Sequence, residues 1–243
     1  MTLSAGDAER LERCLAGDGV ALIPTDTVYG LACNPDSAAA LRRIYELKRR
    51  PPQKPAAVMF FSLRAALATL TELGPRELEA VRALLPGPVT LLLPNPQRRF
   101  PFACEPAVGL AGDETTAAAQ RGLAPRGLPP VGSKSAEVAP LGLRVPRLQG
   151  ALAALTGVRA PVLQSSANLS GEPAPRRLTD VPAILREGVD IVLDGGELPG
   201  IASTVIDLSG YERDGVWRVV REGPLAVGKL RQVLASVRDS GAS

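Results

Sequence analysis

Short apolar runs alternate along the chain with longer stretches in which apolar positions recur every three or four residues. The runs Gly19–Ile23, Ala56–Phe61, Val89–Leu93, Leu141–Val145, Pro161–Gln164, Val189–Leu193, Ser203–Asp207 and Val216–Val220 predict strands. The periodic stretches Ala8–Ala16, Ser37–Lys48, Leu63–Leu70, Pro75–Leu85, Leu148–Leu155, Asp180–Glu187 and Ala226–Val237 predict helices. Asp36 is placed to cap the second helix and Pro51 to end it. On that helix Leu41, Ile44, Tyr45 and Lys48 fall on one stripe, so Lys48 is expected to carry the buried face into the last turn and aim its ammonium at the sheet edge. Strands alternating with helices predict an α/β sheet. The last two strands are expected to join through a turn at Tyr211–Gly215.

Residues Pro94–Pro140 break the rhythm: they are rich in Pro, Gly, Arg and Ala and are read as a surface insertion. They contain Gly127-Leu-Pro-Pro-Val-Gly132-Ser133-Lys134-Ser135, a near match to a phosphate-binding P-loop. An extra Ser before the Lys, two prolines and the lack of a preceding apolar strand count against that function.

Composition limits the chemistry. A chain of 243 residues suits a single domain. No apolar run approaches the ~20 residues that span a bilayer, so no membrane partner is expected. The first residues, with Asp7 and Glu9 among Ala and Leu, lack the pattern of a signal or transit peptide. A cytoplasmic setting is expected, or a mitochondrial or plastid matrix if a presequence has been removed. The chain has no His, which excludes imidazole-based triads and His-ligated metals. Its three Cys (Cys14, Cys33, Cys104) are widely spaced, as expected for reduced structural thiols. The net charge of +3 is too small to announce nucleic-acid binding. Basic residues instead cluster locally, at Arg42, Arg43, Lys48, Arg49, Arg50 and Lys54.

Four segments could carry chemistry, and each has a plainer structural alternative. Thr25-Asp26-Thr27 ends the first strand with polar groups, or simply makes a turn. Lys48-Arg49-Arg50 offers cations to an anion, or complements a helix C-terminus. Ser165-Ser166-Ala167-Asn168 can present hydroxyl, amide and N–H groups to anionic oxygens, or form a polar turn. Ser203-Thr204 and Arg221 stand at strand ends, as a site or as exposed strand positions.

Taken in order, Pro24-Thr-Asp-Thr-Val-Tyr-Gly-Leu31, Lys48-Arg-Arg-Pro51 with Lys54-Pro55, Leu85-Pro-Gly-Pro-Val-Thr-Leu91, Leu143-Arg-Val-Pro146, Ser165-Ser-Ala-Asn-Leu-Ser-Gly171, Asp194-Gly-Gly196, Ser203-Thr-Val205 and Arg221-Glu-Gly-Pro224 resemble the YrdC-like family of threonylcarbamoyl-AMP synthases. The resemblance covers residues 8–237 as one domain, with the insertion at about 97–140, and looks like the short, single-domain form. It implies a twisted mixed β-sheet with flanking helices around a positively charged cavity. It also implies a nucleotidyltransferase that condenses L-threonine, bicarbonate and ATP to threonylcarbamoyl-AMP and pyrophosphate. Mg²⁺ would arrive with ATP, held mainly by phosphates. A downstream threonylcarbamoyl transferase complex would consume the product, and tRNA is a further partner.

The family's Lys-x-Arg and Ser-x-Asn signature lands on Lys48, Arg50, Ser166 and Asn168, the implied catalytic and ATP-binding residues. Its threonine-contacting hydroxyl lands on Thr25, and Thr27, Arg144 and Ser203 join the threonine and bicarbonate side. Arg221 is expected near the nucleotide phosphates. Met59 stands at or near the position where many relatives carry a His by the amino-acid pocket, a departure that bears on threonine recognition. Two other functions fit the same residues: a non-catalytic RNA-binding module, and a carbamoyl-adenylate-forming enzyme acting on another amine. Only four Phe, three Tyr and one Trp leave little for base stacking.

Overall fold

A computed structural model of the chain describes residues 2–49, 56–104 and 139–240. Arg50, Lys54, the near P-loop match and most of the insertion lie outside the described residues. The fold is a nine-stranded mixed sheet with flanking helices. Its strands are β1 Val20–Pro24, β2 Tyr29–Cys33, β3 Ala57–Met59, β4 Val89–Leu93, β5 Leu141–Arg144, β6 Val162–Ser166, β7 Ile191–Val192, β8 Thr204–Asp207 and β9 Arg218–Arg221. They lie in the order β7-β1-β2-β6-β3-β5-β4-β8-β9. Pairs β1/β7, β3/β5 and β4/β8 are parallel and the rest antiparallel.

The helices are α1 Ala5–Ala16, α2 Ala38–Leu47, α3 Leu63–Thr69, α4 Pro75–Leu84, α5 Pro101–Cys104, α6 Ala183–Glu187, α7 Tyr211–Asp214 and α8 Val227–Ser240. α1 starts with a capping box: Ser4 Oγ accepts the Asp7 N–H at 3.3 Å, and the Asp7 carboxylate accepts the Ser4 N–H at 2.9 Å. Ala8, Leu11 and Leu15 form its buried stripe.

Several expectations need correction. Ser37, not Asp36, caps α2, accepting the Ala40 N–H at 3.2 Å. Leu148–Leu155 forms a tighter 3₁₀ helix, Gly150–Gly157. The expected turn at Tyr211–Gly215 contains the helical turn α7, closed by Gly215 at φ 66°, and the final strand starts at Arg218 rather than Val216. The insertion begins with α5, a single helical turn. Strand β2 was not anticipated. All five of its residues are buried, so it shows no apolar–polar alternation, and it follows a polar turn directly.

Register decides what each face presents. Leu163, Val58, Leu143, Leu91 and Ile206 pair in one continuous row across β6, β3, β5, β4 and β8, and all are essentially inaccessible to solvent. This row is the spine of the core. Side chains alternate along each strand, so the neighbouring rows face the other way. One contains Gln164 paired with Ala57 and with Ala32, and Gly142 paired with Leu92. Another contains Met59 paired with Arg144, and Thr90 paired with Val205, which pairs with Arg221.

Gly223, just past β9, lets the returning chain touch the start of β8. A Cβ there would lie 2.7 Å from the Ser203 carbonyl carbon, and nearer still to the Thr204 nitrogen and Ala202 oxygen. Backbone cannot yield as a flexible side chain does. Gly223→Ala is therefore expected to cost about 2–3 kcal/mol, read as a lower midpoint in urea denaturation with an unchanged slope.

Candidate functional site

A cavity of about 360 Å³ lies on the polar face of the sheet, within the range of small-molecule pockets. Strands β3, β4, β5, β6, β8 and β9 all contribute to it, and no Asp or Glu lines it among the described residues. Two guanidinium groups do, those of Arg144 and Arg221.

Arg144 is the last residue of β5 and is only 4% exposed. Its Nη2 donates to Asp26 Oδ1 at 2.7 Å and to Thr27 Oγ1 at 2.9 Å, and its Nη1 donates to Gln164 Oε1 at 3.4 Å. Its Nε is buried without a hydrogen-bond partner among the described residues. The second Asp26 oxygen accepts the Arg147 N–H at 3.0 Å. Asp26 thus ties the β1–β2 turn to the end of β5 through both carboxylate oxygens. Burial pushes the Asp26 carboxyl above its usual range, opposed by the Arg144 guanidinium and the Arg147 amide. Arg144 keeps its charge at any ordinary pH. Sequence reading placed Asp26 in a polar cluster but gave it no task, because its partner lies 118 residues away.

The second cluster joins β4, β8 and β9. Thr90 Oγ1 and Ser203 Oγ share a hydrogen bond of 2.8 Å. Arg221 Nη2 donates to the Ser203 carbonyl at 2.8 Å and to Ser203 Oγ at 3.2 Å. Arg221 as a whole is solvent-exposed, while partial burial around its guanidinium lowers its pKa from the usual value. Thr90 is a cavity residue that sequence reading did not single out; a Thr among leucines, Thr90-Leu91-Leu92-Leu93, was the available sign.

The third cluster forms where β6 ends. Ser166 Oγ donates to Asn168 Oδ1. Asn168 Nδ2 donates to the Leu169 carbonyl at 2.9 Å and the Glu172 carbonyl at 2.6 Å, fixing the loop. Lys48 follows the last turn of α2, is 1% exposed, and donates from Nζ to the Ser166 carbonyl. Its ammonium therefore meets the central strand β6, not the sheet edge that the stripe suggested. The loop returns the contact, with the Ser170 N–H donating to the Lys48 carbonyl at 3.1 Å.

Arg144, Ser166, Ser203 and Arg221 thus line one cavity. Thr27, Lys48 and Asn168 stand one hydrogen bond behind it. Thr25 is used by the turn: its hydroxyl donates to the Val28 carbonyl at 2.7 Å and accepts the Thr27 and Val28 N–H groups at 3.3 Å. Met59 is fully buried beside Arg144 in the sheet and does not line the cavity. Arg50 lies outside the described residues.

Cys33 is buried, and desolvation pushes its thiol to about 12. It carries no thiolate near neutrality. No group of three or more His, Cys, Asp or Glu that could hold a metal occurs among the described residues. No helix among them is long and apolar enough to cross a membrane.

Sheet and cavity together define an α/β protein with a cavity of small-molecule size on one face of a mixed sheet. A family model for Sua5/YciO/YrdC, described as "Telomere recombination", matches residues 13–117 and 123–223. The chain belongs to the Sua5/YciO/YrdC family. It is 29% identical over 248 residues to a threonylcarbamoyl-AMP synthase of Pyrococcus abyssi, covering 98% of this chain and 62% of the relative. A synthase of the same name from Bacillus subtilis is 30% identical over 227 residues, with 92% and 56% covered. One from Xanthomonas campestris pv. campestris is 31% identical over 198 residues, with 81% and 89% covered. The chain therefore spans about three fifths of the Pyrococcus and Bacillus relatives and most of the Xanthomonas one.

Among solved structures, Pyrococcus abyssi Sua5 complexed with L-threonine superposes with a TM-score of 0.69 at 23% identity, covering 96% of this chain and 58% of that one. Escherichia coli YciO superposes at 0.66 and 22% identity, covering 93% and 94%. These likenesses establish the fold.

Two outcomes test the site's construction. Asp26→Ala leaves a buried guanidinium without its carboxylate and is expected to destabilise the fold by about 3–5 kcal/mol, measured by urea denaturation at pH 7. Alkylation at pH 8 is expected to leave Cys33 unmodified in the native chain and to label it fully in 8 M urea (a condition of about the usual denaturing strength), read by peptide mass.

Proposed function

We propose that this chain is an L-threonylcarbamoyladenylate synthase. The observation that carries the reading is the meeting of Arg144, Ser166, Ser203 and Arg221 in one cavity, from the ends of β5, β6 and β9 and the residue before β8, backed by Lys48 and Asn168. The family and the named relatives support it, and the Pyrococcus protein solved with L-threonine supports an amino acid as one occupant.

The chemistry asks for what these residues offer. The threonine amine adds to the carbon of bicarbonate, which loses water to give a carbamate. A carbamate oxygen then attacks the α-phosphorus of ATP, and pyrophosphate leaves as the oxygen–phosphorus bond forms. Both partners are anionic, so the barrier includes bringing like charges together. Fixed guanidinium groups lower that barrier and receive the charge spreading onto the phosphoryl oxygens. We assign Arg221, with Ser203 beside it, to the nucleotide phosphates. Its fork can grip two oxygens at once.

Ser166 faces the cavity, and its hydroxyl is oriented by Asn168. We assign it to a reacting oxygen, with Lys48 setting the end of β6 and adding positive potential, and Arg50 supplying a second cation from the same segment. We assign Arg144 to the amino-acid end, positioned by Asp26 and Thr27. Holding three reactants in one geometry can supply roughly 7–11 kcal/mol. No step needs a covalent enzyme intermediate, in keeping with a chain without His. ATP enters as its Mg²⁺ complex, the ion keeping phosphate and water ligands. The product is a mixed anhydride, to be consumed by a transferase acting on tRNA.

The test is pyrophosphate release from MgATP with threonine and bicarbonate, each omitted in turn. Release is expected only with all three, with a product of the mass of threonylcarbamoyl-AMP. Release with another amine but not threonine overturns the substrate, and no release from folded protein overturns the reading. Arg221→Ala is expected to lower kcat/KM by about 10²-fold while the thermal midpoint stays within a few degrees of the native chain.

A further inference from the structure

Gln164 occupies a place where the sheet has cleared space around it. It stands on β6 with Ala32 and Ala57 as its register partners, and Gly142 lies beside Ala57 in the same row. Its side chain crosses Gly30. A Cβ at Gly30 would lie 3.2 Å from the Ser165 carbonyl and closer still to the Gln164 carboxamide, so the absence of a side chain there is what admits it. Gly142 faces the cavity with only ordinary contacts around its missing Cβ. Gln164 is therefore a long side chain set among Gly30, Ala32, Ala57 and Gly142, with Leu92 next in the row beyond Gly142. Its Oε1 accepts from Arg144 Nη1 at 3.4 Å, which sets it beside the guanidinium assigned above to the amino-acid end. It is 5% exposed and lines the cavity.

We propose that Gln164 is a specificity-determining residue: it closes the cavity floor beside Arg144 and so limits the size of the amino-acid side chain accepted there. The proposal rests on the synthase reading. Its physical content is volume. Without the Gln side chain the floor falls back to Gly30, Ala57 and Gly142, opening room for several heavy atoms next to the same guanidinium. The amino-acid carboxylate could then be held as before while a longer side chain enters the gap. One methylene in such a pocket is worth roughly 10–200-fold in discrimination.

Pyrophosphate release with bicarbonate and MgATP is measured for threonine, serine and leucine, using the native chain, Gln164→Ala and Gln164→Met. Gln164→Ala is expected to raise the threonine KM while leaving the ATP KM within about twofold, and to shrink the threonine-to-leucine ratio of kcat/KM by at least about 10-fold. Gln164→Met keeps the volume without the amide and is expected to retain the native ratio. If the alanine variant retains the native ratio, or the methionine variant loses it as alanine does, the size limit is overturned. Gln164→Asn, one methylene shorter with the amide kept, serves the same comparison if the alanine variant does not fold. Calorimetric titration of the same amino acids without ATP reads the limit independently of turnover. Tighter leucine binding by the alanine variant supports it even if the native chain releases no pyrophosphate, an outcome that overturns only the synthase reading. Failure of every amino acid to bind overturns both.

Discussion

The buried ion pair between Arg144 and Asp26 is the constraint around which the site is arranged. A guanidinium taken out of water is costly unless its partners are fixed. Here they come from two separate places, the β1–β2 turn and β6. Asp26 answers with both oxygens, one to the side chain of β5 and one to the backbone just beyond it. The pair is thus better understood as a positional lock than as a source of stability. It fixes how far the first hairpin lies from the middle of the sheet, and that distance is one dimension of the cavity.

Around this lock, each wall of the cavity is set by backbone pairing and then finished by one or two side chains. The Lys48 ammonium meets the Ser166 carbonyl, so α2 determines where β6 ends. Ser203 shares a hydrogen bond with the Thr90 hydroxyl and accepts one from Arg221, so β4, β8 and β9 agree on a single position for its hydroxyl. Gly223 permits this by letting two backbones touch. Hydroxyl and carbonyl groups thereby hold the cations in a chosen direction. Such preorganisation is what electrostatic stabilisation of a transition state requires.

Much of the fold was legible, since the apolar runs at Val20–Ile23, Val89–Leu93 and Leu141–Leu143 fall within strands. Strand β2 was not, because a strand buried on both faces carries no alternation, and Gly30 looks like a turn residue until Gln164 is seen lying across it. Ser166, Ser203 and Arg221 were legible as polar residues at strand ends and Arg144 through the family resemblance alone, and the cavity unites them. Lys48 was found by its place on an apolar stripe, although its destination was not, because a stripe reports which face is buried and not what lies opposite. Thr25 and Met59 were picked out with equal reason, yet the turn consumes the first and the sheet interior the second. Gln164 gave no local sign at all. Its significance comes from two glycines and two alanines on three other strands, contacts that no window of sequence contains.

The strand order carries a consequence for how the molecule is made. The first hairpin, β1–β2, is flanked in the sheet by β7 on one side and β6 on the other, strands more than 100 residues further along. During synthesis from the N-terminus, that hairpin emerges with both edges open and its buried residues uncovered. An exposed apolar edge is a template for wrong pairing, and closing it must wait for most of the chain. Non-local pairing of this kind slows folding. The nascent protein therefore passes through a long interval in which a hairpin buried throughout in the folded sheet has both edges open, a vulnerability that ribosome-associated chaperones are suited to cover.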